Sequence, residues 1–550
     1  MATTSYFKLQ LSGEPIIDAL TNGTYWVLDY TRTVTWAVAD APGIDWKWNA
    51  TGATLMSGVM AEVLSQYAEV ADVRFQYVGW FDDLRTAPAD MVLAATLFPG
   101  SFGFGASTYA WAYFPHEPTT DGQIAGLYGS STAYPNASGD VVLNFSQYEI
   151  AKSTYLPGSN GYFALLHEVG HAVGLKHPHD DGGTPGHPTF AQLGFSAADN
   201  QILTIMSYDP ATELAVWFQQ FGLPAGAGYP ETLMPLDVLA LQSIYGPNTT
   251  TRAGDTTYEL YNDDAIETFW DAGGHDVLTA AGSNFGWRII SIVSVGDENL
   301  VVAVPRDSDA LTGKFYFNVE SVVGSYYADE IVGTYSNNVL FGLDGQDSLT
   351  GSGGDDYIDG GPGADTAGYS GSRSAATLTS SANGWSASTA ADGTDTLIDV
   401  ERLQFSDISV ALDTGPLESA GQTVLLLGSV LPGQLVFDPS KQVLLGAVIG
   451  LFDEGYSLRD LSGAVLRLPI WDVLTGLSAP ANRDIANYLL TNVNGTAPNQ
   501  AILDAATSAL NNESFQGDWL AGLAASTANQ IHVGLVGLLD TGLEFLPPQS

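Results

Sequence analysis

GSYYADEIV, GTYSNNVLF, GLDGQDSLT, GSGGDDYID and GGPGADTAG follow one another without a gap over residues 324–368. Each nonapeptide opens on glycine, at Gly324, Gly333, Gly342, Gly351 and Gly360. The sixth position is Asp329, Asn338, Asp347, Asp356 or Asp365, and the eighth is Ile331, Leu340, Leu349, Ile358 or Ala367. A solvated acidic loop requires neither a strict nine-residue phase nor an apolar eighth residue. Six residues of each unit make a glycine-rich turn and three a short strand, so successive units stack into a parallel β-roll. The glycines permit turns that expose backbone carbonyls. Together with the sixth-position side chains these form an oxygen cage suited to Ca²⁺, while the eighth residue packs inward. The candidate ligands here are Asp329, Asn338, Gly342, Asp344, Asp347, Gly351, Gly353, Asp356, Gly360, Gly361, Gly363 and Asp365, enough for roughly two to four ions.

Composition points the same way. Lys plus Arg total 17 against 61 Asp plus Glu, a formal charge of -44. Such a surface repels phosphate backbones and anionic lipid, which argues against nucleic acid as a partner, and it repels itself unless hard cations neutralise part of it. Cysteine is absent, so stability outside a cell would rest on packing and bound metal rather than disulfides. A length of 550 residues suggests two to four domains. The first thirty residues show no basic segment leading into an apolar one, so no cleavable signal peptide is expected, and no apolar run reaches transmembrane length.

Upstream of the repeats, residues 1–246 read as mixed α and β. Strands are expected near 24–28, 33–39, 73–78, 91–97, 108–114 and 141–145, with helices near 53–69 and 161–175. The second helix carries HEVGHAVGLKH at 167–177, which fits H-E-x-x-H-x-x-G-x-x-H. Residues four apart on a helix differ by only about 40° in rotation, so His167 and His171 can address one metal ion. Glu168 reaches a water at that metal rather than the metal itself, where a general base is needed. Gly174 can take the left-handed conformation that reverses the chain and returns His177 as a third ligand. Three neutral imidazoles suit one Zn²⁺ with a fourth position left for water. His179 and His187 read as surface residues rather than ligands.

The extended motif, followed by Pro178 and then by Ile205-Met206-Ser207-Tyr208, resembles the serralysin family of metzincins. The resemblance implies a zinc endopeptidase acting on proteins or peptides, with Met206 flooring the site. Tyr208 would be a labile extra zinc ligand that swings away and donates a hydrogen bond to the tetrahedral intermediate. It makes the strand near 107–114 the active-site edge strand, although an internal strand is an open reading. It also places calcium between the catalytic and roll regions at Arg252, Asp255, Thr257, Asp271, Gly273, Gly274 and Asp276, with a further site at Asn318 and Glu320. VERLQFSD at 400–407 resembles the segment closing many such rolls. Proteins of this pattern resemble cargo of type I secretion, which implies an extracellular location and a roll that folds on meeting Ca²⁺ outside.

The resemblance ends near Gly415. Helices are expected beyond it at about 441–452, 458–468, 483–493, 499–510, 515–525 and 529–539, with Ser457 and Asp460 forming a capping box. Docking, surface attachment or part of the export signal are the roles open to this segment. The expected fold class is therefore multidomain α+β: a metzincin catalytic domain over 1–246, a parallel β-roll (RTX) domain over 247–413 and an all-α domain over 414–550. Two rival readings are a non-catalytic, calcium-dependent adhesion protein and a zinc hydrolase of non-peptide substrates.

Overall fold

The computed structural model describes residues 3–5, 14–40, 48–96, 110–115, 137–144, 155–180, 187–209, 229–261, 265–292, 300–305 and 314–547. The chain forms two compact units, Met1–Leu278 with Arg288–Val319, and Thr279–Trp287 with Glu320–Ser550.

In the first unit a five-stranded sheet runs in the order Arg74–Phe81, Thr33–Ala39, Met91–Thr96, Val141–Asn144, Ala110–Ala112. Its first four strands are parallel and the last is antiparallel. Thr33–Ala39 (TVTWAVA) is rich in β-branched and aromatic residues and lies inside the sheet, where both faces can be covered. The helix Ala50–Val70 starts where Asn49 Oδ1 accepts the Gly52 N–H at 2.7 Å. It buries Met56, Met60, Val63, Leu64 and Tyr67, each apolar side chain contributing about 1.5–3 kcal/mol. The Tyr67 hydroxyl donates to Leu166 O at 2.6 Å, tying this helix to Asn160–Ala172, which Ser159 caps. Part of the expected strand near 108–114 falls outside the described residues; Ala110–Ala112 sits at the end of the sheet.

The second unit contains the roll. Its strands pair in parallel at eighteen-residue intervals: Ser321–Val323 with Val339–Phe341, Glu330–Val332 with Ser348–Thr350, Val339–Phe341 with Tyr357–Asp359, and Ser348–Thr350 with Thr366–Gly368. Two nonapeptides therefore make one coil, one strand to each face. Ile331, Leu340, Leu349, Ile358 and Ala367 are all buried between the faces. The repeats thus form a parallel β-roll within a mixed α+β chain.

Beyond the roll lie helices at Gln442–Asp453, Leu458–Leu466, Asn482–Asn494, Gln500–Leu510 and Gln516–Ala524, close to the expected positions. Four features differ from the sequence reading, the first being the short additional helix Trp471–Thr475. Ser419–Val430 is an additional helix; it is buried around nearly its whole circumference and so shows no amphipathic period in the sequence. The helix expected at 529–539 is broken into Thr527–His532 and Leu535–Leu538, because Gly534 adopts a left-handed φ of 64°. Finally, the segment ends in a strand, Leu543–Phe545, paired antiparallel with Ser409–Ala411 of the roll.

Candidate metal centres

The helix Asn160–Ala172 presents His167 and His171 one turn apart, both buried. Its last carbonyls are capped from outside: Trp26 Nε1 donates to Ala172 O at 2.9 Å and the Tyr245 hydroxyl to Val173 O at 2.7 Å. Gly174 then takes φ of 109°, and a Cβ there would lie 2.6 Å from Thr24 O, so both conformation and space demand glycine. The reversal delivers His177. Its Nε2 lies 3.2 Å from His167 Nε2 and 3.0 Å from His171 Nε2.

The opposite ring nitrogens are all engaged. His167 Nδ1 lies 2.7 Å from Ile205 O, His171 Nδ1 2.8 Å from Leu175 O, and His177 Nδ1 2.5 Å from Asp180 Oδ2. Nδ1–H donation to these oxygens leaves three Nε2 lone pairs converging on one point. Tetrahedral zinc at ~2.0–2.1 Å from each imidazole separates its nitrogens by about 3.3 Å, so the donor set fits Zn²⁺. Burial and mutual repulsion hold His167 at about 3 and His171 well below the ordinary histidine value, the neutral forms a metal needs.

Glu168 lies beside these ligands. Burial pushes its carboxyl up to about 8, against a lowering hydrogen bond from the Ala112 backbone, and Oε2 is buried without a hydrogen-bond partner. Met206 packs beneath the helix: a Cβ on Gly170 would fall 2.6 Å from Met206 Sδ. The Met206 turn is held by Asp237, which accepts from Thr204 Oγ1 at 2.6 Å, Ile205 N at 2.8 Å and Met234 N at 3.0 Å. Tyr208 is exposed, and its ring centroid lies 4.5 Å from that of His177 and 5.5 Å from that of His167.

The roll presents a second arrangement, lined by oxygen rather than nitrogen. Asp329 N donates to Asp347 Oδ1 at 2.7 Å, and Asp347 N to Asp365 Oδ1 at 2.8 Å, while in the other row Asn338 N donates to Asp356 Oδ1 at 2.7 Å. One oxygen of each sixth-position carboxylate thus braces the coil before it. Asp356 Oδ2 and Asp365 Oδ2 are buried without a hydrogen-bond partner, an arrangement that a cation would satisfy.

The RTX calcium-binding nonapeptide repeat family matches residues 324–367, in four copies. Serralysin of Proteus mirabilis is 36% identical over 154 residues, 25% of this chain and 29% of that protein. Metalloprotease AprA of Pseudomonas entomophila is 30% identical over 197 residues, 33% of this chain and 36% of its own length. Serralysin C of Dickeya chrysanthemi is 28% identical over 241 residues, 41% and 43% of the two chains. The chain is serralysin-like and carries RTX repeats. It spans less than half the length of these relatives.

Around this serralysin-like centre some side chains lie elsewhere than expected. His187 is buried, not a surface residue: its Nδ1 lies 3.4 Å from both Thr21 Oγ1 and Asp18 O, because the 187–190 segment folds under the Pro15–Asp18 helix. His179 is more open and stacks on His177 at 4.9 Å. Asp180 orients His177 and carried no signal in the motif itself. Among the described residues, the sets of three or more histidine or acidic ligand atoms within 4.8 Å of one another are His167 with His171 and His177, and His177 with His179 and Asp180.

The residues expected to hold calcium ahead of the roll meet in part. Asp255 Oδ1 accepts from His275 N at 3.1 Å and Asp276 Oδ1 from Thr256 N at 2.8 Å, which brings the loop of Arg252, Asp255 and Thr257 against that of Asp271, Gly273, Gly274 and Asp276. Their three carboxylates do not form a set of the kind just described, so any cation there would depend on backbone oxygens as well. Arg252 donates to Trp270 O at 2.9 Å and pairs with Glu69. Asn318 Nδ2 donates to Asp271 O at 2.9 Å, placing Asn318 with that same loop. The Glu320 carbonyl accepts from Asn338 Nδ2 at 3.2 Å.

Proposed function

We propose that this chain is a secreted, zinc-dependent endopeptidase whose β-roll is stabilised by calcium. The convergence of three imidazole Nε2 atoms beside the buried Glu168 carboxylate carries the reading. His167, His171 and His177 would hold the zinc, which when bound supplies Lewis-acid polarisation of the scissile carbonyl. Glu168, whose Oε2 is buried beside the imidazoles without a hydrogen-bond partner, would take a proton from the attacking water and return it to the leaving amine. Asp180 and the carbonyls of Ile205 and Leu175 fix which nitrogen of each imidazole faces the metal. Tyr208, beside the histidines and open to solvent, would donate to the developing oxyanion. Met206 floors the site and Gly174 sets the turn. Ala110–Ala112, at the end of the sheet, would pair with an extended peptide substrate.

The remaining assignments belong to the same reading. Residues 1–246 would form a metzincin domain, 247–413 the roll and 414–550 a helical domain available for surface attachment. The repeats and the acidic, cysteine-free composition suit export by a type I apparatus, with folding on external Ca²⁺. Casein hydrolysis with and without a zinc chelator, alongside Glu168→Ala and metal analysis, tests the proposal. Hydrolysis that survives either treatment would overturn it.

A further inference from the structure

The nonapeptide phase calls for a further glycine at position 369, and the residue there is Tyr369. The chain leaves the coil at this point through the 3₁₀ turn Arg373–Ala375 and the hairpin Thr377–Ser381 against Gly384–Thr389. It returns to add Gly393–Ile398 to one face of the roll and Arg402–Gln404 to the other. Phe405 follows Gln404 as Tyr369 follows Gly368, and the two rings stack at 5.3 Å with 22° between their planes. Both are buried. An aromatic pair therefore stands where the repeats would carry glycine.

Beside this pair the outer face of the sheet is notched. Ala367 is buried and Thr366 and Gly368 are half-buried, so by alternation Gly368 faces outward. Its strand lies between Ser348–Thr350 and Arg402–Gln404. A Cβ on Gly368 would lie 2.5 Å from Thr350 Oγ1. With no side chain there, a cleft of about 620 Å³ opens between Thr350 and Gln404, lined also by Tyr335, Ser348, Asp392 and Ser406. Tyr335 is 73% exposed, and a Cβ on Gly353 would fall 3.0 Å from its Cδ1, so this open ring is braced against the backbone of the next coil.

The cleft falls within the range of about 300–1,000 Å³ usual for small-molecule sites. Its described lining residues include no Lys, Arg or His, and the whole chain carries -44, so an anion is repelled. The one lining carboxylate, Asp392, already accepts from Ser370 Oγ at 2.7 Å and Thr389 Oγ1 at 2.9 Å, which disfavours a cation. An entirely apolar ligand would cover the Ser348, Thr350 and Ser406 hydroxyls and the Gln404 amide without satisfying them. An extended peptide would need a free strand edge, whereas Thr366–Gly368 is paired on both sides. A neutral ring bearing several hydroxyls meets every condition: its hydroxyls bond to the polar groups and its C–H face lies on an aromatic ring.

We propose that the notch at Gly368 binds neutral saccharide units, with Tyr335 as the stacking platform and Ser348, Thr350 and Gln404 as hydrogen-bonding partners. The site belongs to the second unit alone and calls on neither the zinc centre nor its chemistry. It gives the roll a means of holding a glycan.

Saturation-transfer NMR and calorimetric titration of the full chain, equilibrated with Ca²⁺, test this with lactose, maltose, cellobiose and diacetylchitobiose. At least one is expected to bind. Tyr335→Ala, at an exposed position, is expected to weaken that sugar by about tenfold, while Tyr335→Phe keeps it. Gly368→Val, which fills the notch from a strand position, is expected to abolish binding. Melting temperatures are compared alongside; should Gly368→Val fail to fold, the two Tyr335 variants decide. The proposal is overturned if none of these sugars binds, if the sugar that binds does so equally well to Tyr335→Ala or to a folded Gly368→Val, or if Tyr335→Phe loses as much as Tyr335→Ala. Sialyllactose binding more tightly than all of the neutral sugars would likewise overturn it, since the site would then be reading a negative charge.

Discussion

Glu168 is buried beside three imidazoles; burial raises its proton affinity, and its Oε2 has no hydrogen-bond partner. Glu168→Gln keeps the shape and removes the base. Peptide hydrolysis is expected to fall by about 10²–10⁴-fold, while zinc content stays at the wild-type level; unchanged hydrolysis would remove Glu168 from the mechanism. Gly170 is a different kind of residue, chosen by space. Gly170→Ala drives a methyl against Met206 Sδ and is expected to cost about 1–3 kcal/mol in thermal unfolding. Met206→Ala in the Gly170→Ala background should cost less than it does alone, since it relieves the clash; strict additivity would show that the two do not meet. The three histidines and Glu168 are legible in the motif because their spacing states their geometry. Gly170 and Asp180 are not, since their partners are defined only by folding.

For the helix Asn160–Ala172, the end matters most. Trp26 and Tyr245 cap its carbonyls, and Gly174 turns the chain where a side chain would meet Thr24 O. Gly174→Ala is expected to destabilise the first unit by more than about 1 kcal/mol and to weaken zinc retention against a chelator, because His177 rides on the reversal. A variant with wild-type zinc retention would show that His177 is placed by other contacts. Elements announced themselves in the sequence in proportion to how one-sided their burial is. Ala50–Val70 has an exposed face and an apolar one, so its period shows; Ser419–Val430 has nearly none exposed, so it does not. Leu543–Phe545 is three residues long and becomes a strand only because Ser409–Ala411 offers it an edge.

For the whole chain the dominant physical fact is its net charge of -44, part of it on roll carboxylates that stack on one another. Without metal, burial raises Asp365 to about 8, Asp356 to about 7, Glu401 to about 7 and Asp395 to about 6. Folded values above the unfolded ones mean that the folded metal-free roll holds more protons. Its stability is therefore fullest below the unfolded carboxylate values and declines as pH rises through about 6 to 8. Metal-free protein is expected to melt at a lower temperature at pH 8.5 than at pH 5. Saturating Ca²⁺ should raise the melting temperature most at the higher pH, because protons no longer compete for the same oxygens. A metal-free melting temperature independent of pH would contradict the buried carboxylate ladder.

The sequence by itself determined what depends on spacing along the chain: the nine-residue phase with its inward apolar positions, the helix that presents His167, Glu168 and His171, and the glycine that returns His177. These are local rules, since helical pitch and turn conformation act over a few residues. Only the tertiary structure decided that His187 is buried, that Asp180 and Asp237 hold the site, and that Leu543–Phe545 pairs with Ser409–Ala411. Each of those outcomes depends on residues far apart in the chain coming together to share burial and hydrogen bonds, and no periodicity in the sequence records which distant partner will arrive.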